Sequence, residues 1–512
     1  MTVLPSRFAT RFVPALVILS LNAIGCDDSN DGPGDAAADG PVPYLDANGR
    51  ETGPRDGGSD LTPNGPTDGA TSDVVASIEP DINMVLVRLD KSGNRDLAFG
   101  NMAGTAVLNL SARSGDIYDS PYGIAGDAQG RLVIFGRIKG SDKNTAGGDK
   151  RTDGDRVVVR LTKDGLLDTS FATQGVHTLN IAGLNDIARH GFVQANGDIV
   201  ASGYTKLPTL VGTQEANAIV LLRLKDDGSP DPLFGVKGVV TSNPFRSEDP
   251  LSPWGYAEAY SIANQNGKYV TTGYGQNAAP LASVDVVSVR YDEKGALDKS
   301  FGTQGVHTLN LADQADQGRD LRILPDGRVM IVGNAAPVKD AVDAMVVVLL
   351  KDGTLDPSFN GVGHQLWDFA GRKDFFRSVD VSRDGKWAAA AGYSTGGAQK
   401  DDSIIGLIPL TAAGNAVVKL EPISVTAADR YVSVAFAPDG TFYAAGFVAE
   451  GDTDTAMVVA RFKADGTKDT TFGLGGVTKV NVAVGKGTVE TATSLFVQAD
   501  GSVVVAGAAE AM

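Results

Sequence analysis

Short apolar runs and glycine turns alternate through most of this chain, and the pattern recurs about every 60 residues. Each period opens on a turn ending in glycine: DAQGRL (Gly130), QANGDI (Gly197), NQNGKY (Gly267), LPDGRV (Gly327), SRDGKW (Gly385), APDGTF (Gly440) and QADGSV (Gly501). Successive turns lie 67, 70, 60, 58, 55 and 61 residues apart. Asn-Gly and Asp-Gly supply the positive φ angles of a tight hairpin, so each turn predicts two antiparallel strands, A before it and B after it. A second glycine follows six residues on at Gly136, Gly203, Gly273, Gly333, Gly446 and Gly507, and seven on at Gly392. A glycine at that fixed place predicts a bulge or a close backbone approach.

Downstream of each hairpin comes a β-branched run, strand C: MVLVRL, RVVVRL, AIVLLRL, VVSVRY, AMVVVLL, SIIGLI and AMVVARF. An Asp or Asn precedes it each time (Asn83, Asp155, Asn217, Asp285, Asp343, Asp402, Asp454). A turn carrying Asp-x-x-Phe follows at Asp96/Phe99, Asp168/Phe171, Asp231/Phe234, Asp298/Phe301, Asp356/Phe359 and Asp469/Phe472; the sixth segment, LTAAGNAVVKLEP, lacks it, and its blade is expected to pack more loosely. The Asp is expected to close an Asx turn and the Phe to plug the gap between neighbouring sheets. A last strand, D, is exemplified by GVHTLN.

Four strands per period and seven periods predict an all-β, seven-bladed β-propeller of four-stranded antiparallel blades. The first folded segment, 83–110, holds only C and D, and the last, 492–507, only A and B. The ring is therefore expected to close by pairing N-terminal strands C/D with C-terminal strands A/B, which leaves no open sheet edge.

The segments LTKDGLLDTSFATQGVHTL and YDEKGALDKSFGTQGVHTL, with their DG turn, D-x-S-F and G-V, resemble the delta-60 repeat proteins over residues 83–508. The resemblance implies a bacterial, commonly exported protein, often with a lipoprotein leader. That family offers no agreed activity or catalytic residues to carry over.

The N-terminus points the same way. Arg7 and Arg11 precede an apolar run from Phe12 to Ile24, which has the layout of a secretory signal and is short for a membrane span. Ala23-Ile24-Gly25-Cys26 resembles the bacterial lipobox; Ala23 stands where Leu is usual, and Leu21 lies two places earlier. Residues 1–25 are thus expected to be a signal peptide and Cys26, the single cysteine, the lipidated residue. Residues 26–75, rich in Asp, Gly, Pro and Thr, read as a flexible acidic tether without calcium-loop spacing, and 76–512 as the propeller domain. A formal charge of −17 argues against a nucleic-acid partner. The membrane, through the anchor, and an envelope protein or glycan are the expected partners of a monomer placed in the cell envelope.

The octapeptide TQGVHTLN occurs twice and carries His177 and His307, two repeat periods apart in equivalent D strands. They cannot meet in one site, and His190 and His364 are dispersed as well. No zinc-type histidine spacing or cysteine pair occurs, so neither a metal, a cofactor nor a catalytic residue is assigned.

Two places invite a ligand. The long B–C and D–A connections emerge on one face, and Phe245, Trp254 and Tyr256 are the candidate anchors there, unless the rings fold back onto the blade tops. Eight residues before the turn glycine, strand A carries Arg189, Arg319 and Arg377, with Tyr122, Ala259, Val432 and Thr493 in the other blades. Three guanidiniums at a channel would suit an anion, while ion pairs with Asp186, Asp320 or Glu258 would account for them equally well. The expected function is a lipid-anchored, non-catalytic binding or scaffold protein recognising a protein or glycan. The alternatives are a purely structural surface-coat protein or a propeller enzyme (lyase, hydrolase or sugar dehydrogenase) with carboxylates in the channel.

Overall fold

The structure, a computed structural model, describes residues 82–111, 119–140, 153–181, 183–208, 215–246, 255–276, 283–311, 314–338, 341–397, 400–410, 416–451, 454–482 and 489–510. They form seven four-stranded antiparallel sheets. The A strands are Ser120–Gly126, Asp186–Val193, Tyr256–Gln265, Gln317–Ile323, Lys373–Val381, Asp429–Phe436 and Glu490–Val497, and they define blades 1 to 7 in that order. Each touches the A strand of the next blade, and the seventh touches the first, so the A strands line a central channel. Blade 7 joins both chain ends: Ile82–Leu89 pairs with Val503–Glu510 over eight residues, with Leu86 opposite Ala506 and Leu89 opposite Val503. The seven-bladed propeller and its closure are as expected.

The core lies between blades. Seven large apolar clusters are each shared by two neighbouring sheets. Strand C explains why its run is apolar without alternation: in blade 4, Met345, Val347 and Leu349 face blade 3, while Ala344, Val346 and Val348 face blade 5. A strand buried on both faces needs apolar residues at every position.

Asp-x-x-Phe does the two jobs expected of it. In all six turns an Asp Oδ1 accepts the N–H two residues on, for example Ser170 at 3.1 Å and Leu233 at 2.9 Å. Phe99, Phe171, Phe234 and Phe301 are fully buried beneath the C–D turn glycine of the next blade. An arginine from strand C grips the same Asp and stacks on the same ring. Arg160 lies 2.8 Å from Asp168 and 4.6 Å above Phe171, and Arg88, Arg223 and Arg290 repeat this. Blade 4 has Val348 at the arginine position, and Arg328 from its A–B hairpin binds Asp356 at 2.7 Å instead.

The second glycine of each repeat faces a bulge in strand A. Pairing skips one residue in every blade: Tyr122, Arg189, Tyr260, Arg319, Arg377, Val432 and Thr493. The backbone folds back so tightly there that a Cβ on the facing glycine would overlap a strand A carbonyl oxygen, Gln317 O for Gly333 and Arg430 O for Gly446.

An acid three residues before the bulge ties down the D–A connection in six blades. Asp429 accepts four donors, Asp316 accepts Leu311 N at 2.7 Å and Ala336 N at 3.2 Å, and Asp119, Asp186, Asp374 and Glu490 make corresponding bonds. Sequence reading missed this position, although its spacing from the turn glycine is constant.

Two expectations follow. Gly333→Ala or Gly446→Ala should cost about 2–3 kcal/mol, because rigid backbone must move. Gly451→Ala, in open space, should be neutral by the same chemical-denaturation measurement. The second concerns pH. Burial, reinforced by Asp285, pushes the Asp316 carboxyl up to about 6 from an ordinary 3.8, against the two N–H bonds. Between those values the folded chain binds more proton than the unfolded one, so this group's contribution to stability falls as pH rises from about 4 to 6. Asp316→Asn should remove that fall, read as the wild-type-minus-variant unfolding free energy at pH 4.5 and 7. Buried His177, His190 and His307 slope the other way but cancel in the difference.

Candidate functional site: the central channel

The bulges decide what faces the channel. All seven skipped residues line one cavity of about 360 Å³ at the propeller axis. Arg189, Arg319 and Arg377 are among them, so the three arginines read from the sequence do share a site. One residue of that register is corrected. Tyr260, not Ala259, is the blade 3 member, because its A–B hairpin turns on Asn266-Gly267 alone and is one residue shorter.

The ring is lopsided. Tyr122, Arg189, Tyr260, Arg319 and Arg377 come from blades 1 to 5, whereas blades 6 and 7 contribute Val432 and Thr493. Arg189 is only 4% exposed. Its guanidinium carbon sits 4.5 Å from the ring centroids of both Tyr122 and Tyr260, and 5.5 Å from that of Tyr204. It donates to Tyr204 Oη at 3.4 Å and Tyr260 Oη at 3.3 Å, makes no ion pair among the described residues, and leaves its buried Nε–H without an acceptor. Arg319 lies 4.8 Å over Tyr260 and donates to Gln317 Oε1 at 2.5 Å. Arg430 stacks 4.3 Å over Tyr393 and bonds Asp401 at 2.7 Å.

The acids near the arginines are occupied otherwise. Asp320 pairs with Arg322, not Arg319, at 2.9 Å. It also accepts Ser261 Oγ at 2.7 Å, Leu321 N at 2.8 Å, Val379 N at 3.0 Å and Ser378 Oγ at 3.1 Å. Asp380 takes Arg322 at 3.1 Å and Phe436 N at 2.8 Å. Asp186 belongs to the D–A clasp. Glu258 acts on Arg189 through space and is bonded by Asn217. Among the described residues five guanidiniums and two carboxylates line the cavity, and both carboxylates already accept a donor at each oxygen.

The residue after each bulge forms a belt around the channel. Ser261 donates to Asp320 of the next blade, Ser378 to Asp320 of the previous one, and the Ser378 and Ser433 hydroxyls accept Val434 N and Leu495 N at 3.2 and 3.1 Å. His190, Ser261 and Asp320 meet here, but in the wrong order for catalysis. The hydroxyl serves Asp320 and lies 3.5 Å from His190 Nδ1, and burial pushes the imidazole down to about 4. A nucleophile needs its base, not an acid, to take the hydroxyl proton.

The other candidates are placed as follows. Phe245 packs on the apolar cluster between blades 2 and 3, and Tyr256 makes an edge contact with Tyr274 at 6.4 Å. Both rings lean on blade 3; Trp254 and Cys26, with the leader and the tether, lie outside the described residues. His177 and His307 sit in blades 1 and 3, with blade 2 between, each close to the next blade's turn glycine, Gly228 or Gly353. Their role is packing.

Sequence reading missed the tyrosines of strand B. The residue after its fixed glycine points toward the channel, and Gly-Tyr at 203–204, 273–274 and 392–393 was the available signal.

The fold and the channel define a seven-bladed β-propeller repeat protein with an arginine–tyrosine arc at its axis. A family described as "Domain of unknown function (DUF5122) beta-propeller" matches residues 146–171, 324–359 and 437–472, each match ending on the Phe of Asp-x-x-Phe. Similar solved structures include Kuenenia stuttgartiensis hydrazine synthase, at 11% identity over 78% of this chain and 94% of that one, TM-score 0.39. A PL25 ulvan lyase aligns at 11% identity over 68% and 79%, TM-score 0.39. A glucose dehydrogenase aligns at 14% over 66% and 95%, TM-score 0.36. Likeness at this level carries no activity across. No curated protein matches the chain.

Proposed function

We propose that this is a non-catalytic, lipid-anchored envelope protein that binds an anionic ligand in its central channel, through the face framed by the B–C and D–A connections. The observation that carries the reading is Arg189, a buried guanidinium stacked between two tyrosines, facing the cavity with no carboxylate partner. A buried charge with no carboxylate bonded to it is costly, and an anion arriving in the cavity relieves that cost. Tyrosine faces beside guanidiniums also suit a ring-bearing anion such as an acidic sugar of an envelope glycan. The enzyme alternative has less support, because both channel carboxylates already accept donors at each oxygen. Anchoring follows from the leader and Cys26.

Calorimetric titration with uronic-acid oligosaccharides and their neutral counterparts tests the binding. Acidic ligands should bind and weaken with salt; Arg377→Gln, at a half-exposed position, should lower affinity about tenfold. Equal binding of neutral sugars, or no binding of either, would overturn it. Cys26→Ser should move the protein from the membrane to the soluble fraction.

A further inference from the structure

Blade junctions are framed by the start of strand C, the residue that follows strand D and, at six of the seven, the acid of the next strand A. We infer that at the junction of blades 4 and 5 these three, Asp343, Asp368 and Asp374, form a calcium site. One carboxylate oxygen from each lies within 4.8 Å of the others. Calcium–oxygen bonds of about 2.3–2.6 Å place ligands around one ion at just such separations. Magnesium, at about 2.0–2.1 Å, needs a tighter set.

The other junctions serve as internal controls. At five of them the residue after strand D is a neutral amide: Asn109, Asn180, Asn243, Asn310 and Asn481. Blade 5 meets blade 6 with three acids, Asp401, Glu421 and Asp429, but there the charge is answered. Arg430 holds Asp401 at 2.7 Å, Lys419 and Lys468 hold Glu421 at 2.7 and 3.0 Å, and Asp429 accepts four donors. At the Asp343 junction no lysine or arginine holds any of the three acids among the described residues. Arg372 acts on Asp374 only through space, its own partner being Asp402.

Asp374 supplies the second indication. It is 0% exposed, and Phe369 N binds its Oδ2 at 2.7 Å, yet its buried Oδ1 has no donor. Ser394 comes close, but its Oγ is equally unpartnered. A buried, unanswered carboxylate oxygen beside two further carboxylates is the chemistry of a divalent-cation ligand set, because three such charges repel unless a cation or protons intervene. The backbone already holds the frame: Asp374 N donates to Val342 O at 2.7 Å, and Asp368 Oδ1 accepts Gly371 N at 2.7 Å. Asp368 is exposed, which gives an ion and its remaining waters a way in.

Terbium luminescence tests this on the purified protein, because Trp367 precedes Asp368 and can sensitise a bound ion. The signal should saturate, and calcium should displace terbium at concentrations where magnesium does not. Asp343→Asn and Asp368→Asn should each weaken binding about tenfold or more, whereas Asp401→Asn, at the blade 5–6 junction, should leave it unchanged. Calcium should raise the Tm of the wild type and not that of Asp368→Asn. That variant carries the residue found at five other junctions, so it retains the fold, as circular dichroism will report. Absence of a saturable signal, wild-type affinity in both junction variants, or equal competition by magnesium would overturn the assignment.

Discussion

The propeller depends on one close approach, repeated seven times: a carbonyl of strand A lies against the Cα of a strand B glycine, where no side chain fits. That contact lets strand A bulge, and the bulge turns one extra residue per blade toward the axis. Without it, alternation along strand A would send that side chain into the space between blades. The channel lining, the serine–aspartate belt beneath it and the D–A clasp above it all keep register with this point.

Because each sheet is buried on both faces, stability rests on the gaps between blades, not within them. Six of the seven gaps are filled from the C–D turn by a phenylalanine, and in four of them an arginine stacks on the ring and grips the aspartate of the same turn. The belt adds hydrogen bonds that run around the axis and cross from blade to blade. Chemical variety is confined to positions where this frame does not dictate the residue. The bulge is one, and its residues make the channel cationic and aromatic on one side only.

Architecture was legible because glycine turns, β-branched runs and Asp-x-x-Phe each answer to a local constraint that recurs with the repeat. Even the closure of blade 7 could be read, since the first and last segments are complementary halves. Site residues were partly legible. Arg189, Arg319 and Arg377 stood at a constant distance from a turn, but Tyr260 hid behind a hairpin shortened by one residue. The tyrosines of strand B and the true partners of Asp320 lay beyond reach, because they depend on which strands become neighbours around the ring. Arg322, two residues past Asp320 on the same strand, became its ion pair, while Arg319 was turned inward by the bulge.

The shared sheet of blade 7 also governs the order in which the molecule can be completed. A chain made or threaded from its N-terminus presents the strands at 82–89 and 105–108 early, yet their partner at 503–510 arrives last. Until then two strands wait as a hairpin too small to stand alone, and six finished blades form an arc with two exposed ends. Bringing those ends together closes a loop of some four hundred residues, but the entropic cost of closure grows only with the logarithm of length, and the arc between them is already stiff. The strand at 503–510 thus acts as the clasp of the ring: without it the edges at 82–89 and 490–497 stay open to degradation or aggregation.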